Sequence, residues 1–211
     1  AGLNAKNASI ELHEGDLPAG LAFGDSVAVD TETLGLNPLR DRLCLVQLSA
    51  GDDSAHVVQL GAGDYAAPNL KKLFTDPAVS KIFHYARFDI ATIRHHLGVE
   101  CQPVFCTKIA SKLARTYTDR HGLKDVVREL AGVDLSKAQQ SSDWGAETLS
   151  QAQQDYAASD VLYLHQVRER LDAMLAREGR TGLAAQLFDF LPVRARLDLD
   201  GWEDTDIFAH T

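Results

Sequence analysis

The stretch that most limits the fold is an apolar run that ends in two acids, Val27-Ala28-Val29-Asp30-Thr31-Glu32-Thr33. Valine and threonine are branched at Cβ and favour extended backbone, so the run reads as a buried strand. Alternate residues of a strand face the same side. Asp30 and Glu32 therefore point the same way beside hydrophobic neighbours. Two unpaired carboxylates in that position repel each other and lose hydration. A divalent cation relieves both problems, and hard oxygen donors suit Mg²⁺ or Mn²⁺. A strand end carrying two solvated acids has the same pattern, so the stretch alone leaves both readings open. Thr33-Leu34-Gly35-Leu36-Asn37-Pro38 then turns the chain.

A chain of 211 residues suits one domain with a core that needs no staples. Its net charge is -9, from 30 acids against 21 bases. Proteins that grip long nucleic acid by its phosphates present a basic face. A nucleic-acid substrate here is expected to be short, or held through metal. No apolar run approaches the roughly 20 residues that span a bilayer, and no secretory leader is expected. Cys44, Cys101 and Cys106 are odd in number and lack paired spacing, which points to free thiols in a reducing cytoplasm. No Cys/His spacing of a zinc site is found.

Ile10-Glu11-Leu12-His13 alternates and is expected at a sheet edge. Ser26 to Thr33, Leu43 to Ser49 and His56 to Leu60 are three strands with short connections, a β-meander. A helix is expected from Pro68 to Asp76, a short strand at Lys81 to Tyr85, and a helix through Phe88, Ile90, Ile93 and Leu97 closed by Gly98. Cys101 and Cys106 bracket another short strand. Beyond Thr107 the pattern is helical: one helix around Ile109 and Leu113, and another from Leu123 to Gly132. A long helix from Thr148 is broken only at Gly179, and a short one ends before Pro192. The order predicts one α/β domain built on a mixed sheet flanked by helices.

Two further acids have suggestive settings. Asp89 follows His84-Tyr85-Ala86-Arg87-Phe88, where a strand hands over to a helix. Asp160 lies four residues after Tyr156, so the two share a helical face one turn apart. Ala158, Val161 and Leu162 are apolar company for an acid. Taken singly, Asp89 also reads as a helix-start charge and Asp160 as a surface acid.

Together, Asp-x-Glu on a strand, His-x4-Asp at a helix start and Tyr-x3-Asp on a late helix resemble the three motifs of the DEDDy 3′→5′ exonucleases. The stretch from Ser142-Asp143-Trp144 through Gln154-Asp155-Tyr156-Ala157-Ala158-Ser159-Asp160 is similar to the ribonuclease D branch. The likeness runs from about residue 26 to 172. It implies a ribonuclease H-like DnaQ/DEDD exonuclease fold over residues 9–192. Residues 1–8, without a starting Met or a clear pattern, are expected to be a disordered leader or cloning remnant, and 193–211, after the Pro192 break, a C-terminal tail. Nothing after residue 192 matches the helical nucleic-acid-binding domains of ribonuclease D. Asp-Thr-Glu-Thr-Leu-Gly-Leu-Asn-Pro-x-Arg-Asp-Arg-Leu looks instead like compact oligoribonucleases that cleave diribonucleotides to mononucleotides.

The resemblance implies that Asp30, Glu32, Asp89 and Asp160 hold two divalent cations, Mg²⁺ or Mn²⁺, and that Tyr156 positions the attacking water. Asp155, about 100° round the helix from Tyr156, reads as solvated. Candidate substrate contacts are Thr31, Leu36, His84 and Lys108; by the resemblance Leu36 would be an apolar wedge between two bases. His84 also suits a backbone cap, and Leu36 an ordinary turn residue. Lys108, Arg115, Arg120, His121 and Lys124 form a loose basic group that could meet a 5′-phosphate. Cys106 and Trp144 are expected to pack. The apolar residues of the tail, Trp202, Ile207 and Phe208 among them, are expected either to fold back or to join copies, and the resemblance implies a ring-like homo-octamer. Two other readings stay open: trimming of longer RNA or single-stranded DNA, and a catalytically inactive RNA-binding module.

Overall fold

The computed structural model describes residues 8–211, so the leader expected at 1–8 lies, but for Ala8, outside the described residues. Six strands form one sheet: β1 (Ser9–Glu14), β2 (Ser26–Thr33), β3 (Leu43–Ser49), β4 (Ser54–Gln59), β5 (Ser80–Phe83) and β6 (Val104–Cys106). Their order across the sheet is β1-β4-β3-β2-β5-β6. β2, β3 and β4 are the antiparallel meander, held by turns with short-range side-chain bonds. The Asn37 side-chain oxygen accepts from the Leu39 and Arg40 amides at 3.0 and 3.3 Å, and Asp52 accepts from the Ser54 amide at 3.3 Å. β1 runs parallel to β4 at one edge. β5 and β6 extend the other side in parallel. Every residue of β3 is buried, as expected for a strand covered on both faces.

Seven helices cover the sheet: α1 (Pro68–Thr75), α2 (Ala86–Leu97), α3 (Thr107–Ala114), α4 (Leu123–Ala131), α5 (Gln151–Leu162), α6 (Leu164–Arg177) and α7 (Thr181–Leu199). α1 opens on a proline. α2 and α4 close on Gly98 and Gly132 in the left-handed conformation, with φ 71° and 68°. Ser150 and Gln153 form a capping box that fixes where α5 starts. None of these helices is long and apolar enough to cross a membrane.

Two helical expectations are corrected. The long helix from Thr148 is two helices, parted at Tyr163, which is the C-cap of the first and the N-cap of the second at φ −110° and ψ −2°. α5 lies against β2, β3 and β4, whereas α6 packs on α3 and α4. One straight rod could not keep its apolar stripe on both. At the C-terminus, α7 does not stop before Pro192 but runs through it to Leu199. An interior proline costs a helix about 3 kcal/mol. Phe188, Leu191 and Ala195 are buried on the same face as Pro192, against α2, α3 and β6. Each large apolar side chain so buried contributes about 1.5–3 kcal/mol, which outweighs the missing hydrogen bond.

β2 pairs with β5 only from Ser26 to Ala28. Beyond Ala28 the two strands part, and β5 gives way to α2 after Phe83. The meander grows away from β2 on one side, while β5 and β6 grow on the other. The crevice at such a reversal, beside the carboxyl ends of the strands, is where open α/β sheets bind ligands.

Candidate active site

Asp30, Glu32, Asp89, Tyr156 and Asp160 all line one cavity of about 740 Å³ at this reversal. Each arrives on a different device. β2 carries Asp30 and Glu32 to its end, where a bulge between Glu32 and Thr33 breaks the register with β3. Asp89 sits in the first turn of α2. α5 supplies Tyr156 and Asp160 one turn apart. One carboxylate oxygen each from Asp30, Glu32 and Asp160 lie within 4.8 Å of one another. Asp89 is 3% exposed and accepts a 2.5 Å hydrogen bond from the Thr31 hydroxyl.

Burial and crowding push all four carboxyls up. Desolvation raises Asp30 to about 6 against the proton it shares with Asp160. Desolvation, then the Asp30 charge, raises Glu32 to about 9. Asp89 and Asp160 stand well above the ordinary carboxylate range, by desolvation first and the neighbouring charges second. Four acids in this state are poor company for one another and good ligands for a doubly charged cation, which supplies the missing counter-charge. The donors are all oxygen, which fits Mg²⁺ or Mn²⁺. Tyr156 is also pushed up, by burial and then by Asp160, Glu32 and Asp30, so its phenol keeps its proton as a hydrogen-bond donor. Its ring stacks on Trp144 at 5.8 Å between centroids.

A family profile described as 3′-5′ exonuclease matches residues 12–176. The chain belongs to the 3′-5′ exonuclease family. Among curated relatives it is 40% identical over 166 residues to ribonuclease D of Acidiphilium cryptum, a match covering 79% of this chain and 42% of that protein. The chain thus spans less than half the length of that relative. Two solved structures match it end to end. Brucella melitensis NrnC bound to pGG has a TM-score of 0.94 at 58% identity, covering 97% of this chain and all of that one. Brucella melitensis NrnC with bound Mg²⁺ has a TM-score of 0.93 at 58% identity, covering 96% and 100%. The mixed sheet with flanking helices is the fold of this exonuclease family, and the acid cluster suits the divalent metals that the family uses.

The remaining candidates of this exonuclease domain separate clearly. Leu36 stands at the cavity rim with 86% of its surface exposed. Thr31 is buried and serves Asp89 from beneath. His84 lines the cavity, and its Nδ1 bonds the Thr107 hydroxyl at 2.8 Å. Burial, then the Lys108 charge, pushes His84 down to about 3, so the ring is neutral. Lys108 does not line the cavity; its Nζ lies 4.8 Å from the centre of the Tyr85 ring, which does. Arg115 is withdrawn from the basic group altogether. It is buried, bonded to the Glu129 carboxylate, to Ser111 Oγ at 2.9 Å and to the Arg120 carbonyl at 2.7 Å. Cys106 is core, accepting from the Ala86 amide at 3.4 Å.

Three wall residues escaped the sequence. Trp144 was expected only to pack; it is buried and also backs Tyr156 across the cavity. Lys137 lines the wall from an irregular loop with no periodicity to mark it. Tyr85 is a tyrosine at φ 67°, a conformation that non-glycine residues avoid at a cost on the order of 1–3 kcal/mol. The signal available for Tyr85 was the abrupt strand-to-helix hand-over, which demands a tight reversal.

Proposed function

We propose that the protein is a 3′→5′ exoribonuclease that hydrolyses very short RNA, diribonucleotides above all, to mononucleotides at the end of RNA decay. The observation that carries the reading is the convergence of four raised carboxyls and Tyr156 on one cavity with an exposed leucine at its rim. The end-to-end likeness to a nuclease bound to a dinucleotide supports the substrate size, as does the net charge of -9.

Asp30, Glu32, Asp89 and Asp160 would hold two divalent cations. When bound, such ions lower the pKa of a water and neutralise charge on the leaving oxygen. The chain's own residues do the rest. Tyr156, held upright by Trp144, donates its phenolic hydrogen bond and orients the water toward phosphorus. The Thr31 hydroxyl fixes Asp89 so that one carboxylate oxygen stays turned inward. Leu36 inserts between the two bases and limits how far a strand can stack past the site. His84 borders the path of the substrate, Lys108 reaches it only through the ring of Tyr85, and Lys124 and Lys137 are the cavity's own cations for a 5′-phosphate.

Self-association belongs to the same reading. The C-terminal segment, residues 193–211, leaves Trp202 47%, Ile207 43% and Phe208 77% exposed, large apolar surfaces that fit a contact between copies. A homo-oligomer, up to the octamer that the resemblance implies, would wall off the cavity and restrict strand length. Three buried free thiols suit a reducing cytoplasm. The deciding experiment is a length series of 5′-labelled RNA with Mg²⁺, beside DNA of the same lengths. The reading requires kcat/KM to peak at the RNA dimer. Faster cleavage of long RNA or DNA would favour trimming in the manner of ribonuclease D, and no cleavage at any length would leave a binding module.

A further inference from the structure

The sheet edge remote from the acid cluster carries a second set of metal-binding groups. In the parallel pairing of β1 with β4, Glu11 lies opposite His56, and His13 follows Glu11 on the same face. His13 Nε2 and His56 Nδ1 are 2.9 Å apart. The Glu11 carboxylate oxygen lies 3.7 Å from the first and 3.5 Å from the second. A tetrahedral zinc with bonds of about 2.0–2.1 Å holds its ligand atoms about 3.3 Å apart, and the three observed separations bracket that value. Each lone pair has a ligand-like setting. The imidazoles stack at 16° between planes, with side chains 14% and 11% exposed, and the Phe23 ring meets His56 edge-on. The Glu11 side chain is 61% exposed, so the cluster faces solvent on that side.

We propose that Glu11, His13 and His56 form a second metal site, distinct from the catalytic acids, that takes a transition-metal cation of the zinc class and staples β1 to β4. Two imidazole nitrogens and one carboxylate oxygen favour zinc, cobalt or nickel over Mg²⁺, which prefers oxygen throughout. Two ring nitrogens 2.9 Å apart can share only one N–H between them; a cation would engage both nitrogens, with that proton moved to the other nitrogen of its ring. Among the described residues β4 is the only strand partner of β1, and the ligands close a loop between positions 13 and 56. A cation there would pin the sheet edge. No regular Cys/His spacing marks the site, because strand pairing rather than sequence proximity assembles it.

The test is calorimetric titration of the full chain with ZnCl₂ in saturating Mg²⁺, which occupies the carboxylate centre. One zinc per chain is expected. Asp160→Asn should leave that binding intact. His56→Gln should abolish it. Glu11→Gln, at an exposed position that folding tolerates, should weaken it by more than the about tenfold that even an outer partner of a ligand is worth. Cobalt in place of zinc should give the intense visible band of tetrahedral nitrogen ligation, which an all-oxygen octahedral site lacks. No zinc binding, or binding that survives Glu11→Gln and vanishes in Asp160→Asn, overturns the assignment.

Discussion

Replacing Asp30 by asparagine should make the metal-free protein more stable, although it removes a ligand. Burial raises the Asp30 carboxyl from 3.8 to about 6 in the folded chain. Folding therefore takes up a proton between those values. The cost of ionising Asp30 is absent below pH about 4, grows as pH rises, and is complete above about 6. The displacement corresponds to about 3 kcal/mol. Asparagine carries no charge and keeps an oxygen for the Thr31 amide, but it gives up the proton shared with Asp160, a loss of about 1 kcal/mol. The net gain is about 2 kcal/mol, which for a chain of this size is a rise in Tm of about 4–8 °C. The assay is thermal unfolding of both proteins in EDTA at pH 4 and pH 8, repeated with Mg²⁺. Asp30→Asn should melt higher than the parent at pH 8, gain little at pH 4, and lose its advantage in Mg²⁺, which stabilises only the parent strongly. A variant that melts lower than the parent at pH 8 in EDTA, or a gain that ignores pH, refutes the electrostatic reasoning.

Tyr156→Phe removes only the hydroxyl that orients the water, so kcat should fall on the order of 10²-fold while dinucleotide affinity, measured with Ca²⁺ in place of Mg²⁺, stays near that of the parent; an unchanged kcat refutes the role. Leu36→Ala should raise KM for a dinucleotide and flatten the length preference, with melting unchanged because Leu36 is 86% exposed; a preserved peak at the dimer would remove Leu36 as the wedge. Arg115→Ala should cost about 1–3 kcal/mol of stability by stripping bonds from Ser111, Glu129 and the Arg120 carbonyl. Below its melting temperature it should leave KM for a 5′-phosphorylated dimer unchanged, whereas a raised KM restores Arg115 as a phosphate contact. A chain ending at Leu199 keeps α7 whole, and light scattering should find it smaller per particle than the intact chain; equal masses would exclude Trp202, Ile207 and Phe208 from the contact.

Much of the candidate site was legible because the residues that converge on the cavity sit in local patterns. Asp30 and Glu32 share a strand period, Tyr156 and Asp160 a helical one, and Asp89 a hand-over marked by His84. The meander was legible from its turn residues, and α2 and α4 from the glycines that end them. What escaped depends on contacts between distant residues. The break at Tyr163 follows from two packing partners that periodicity cannot name. Pro192 is a stop signal in isolation, overridden by the burial of Phe188, Leu191 and Ala195. Arg115 looks like any basic residue until its three partners are assembled, and the facing of His13 and His56 depends on a parallel pairing across the sheet edge.

Arg87 lies two residues before Asp89, and it grips Asp198 of α7 with two bonds of 2.7 Å, while Arg194 reaches the same carboxylate at 3.2 Å. The clamp joins positions 111 residues apart. During synthesis, at about 5–20 residues per second, Asp160 is made on the order of ten seconds after Asp30, and Asp198 a few seconds later still. Until then the clamp on α2 has no second jaw, although all four acids are already in the chain. The helix that carries Asp89 is therefore anchored from outside by a segment made more than a hundred residues later, so its final seating waits on the completion of α7.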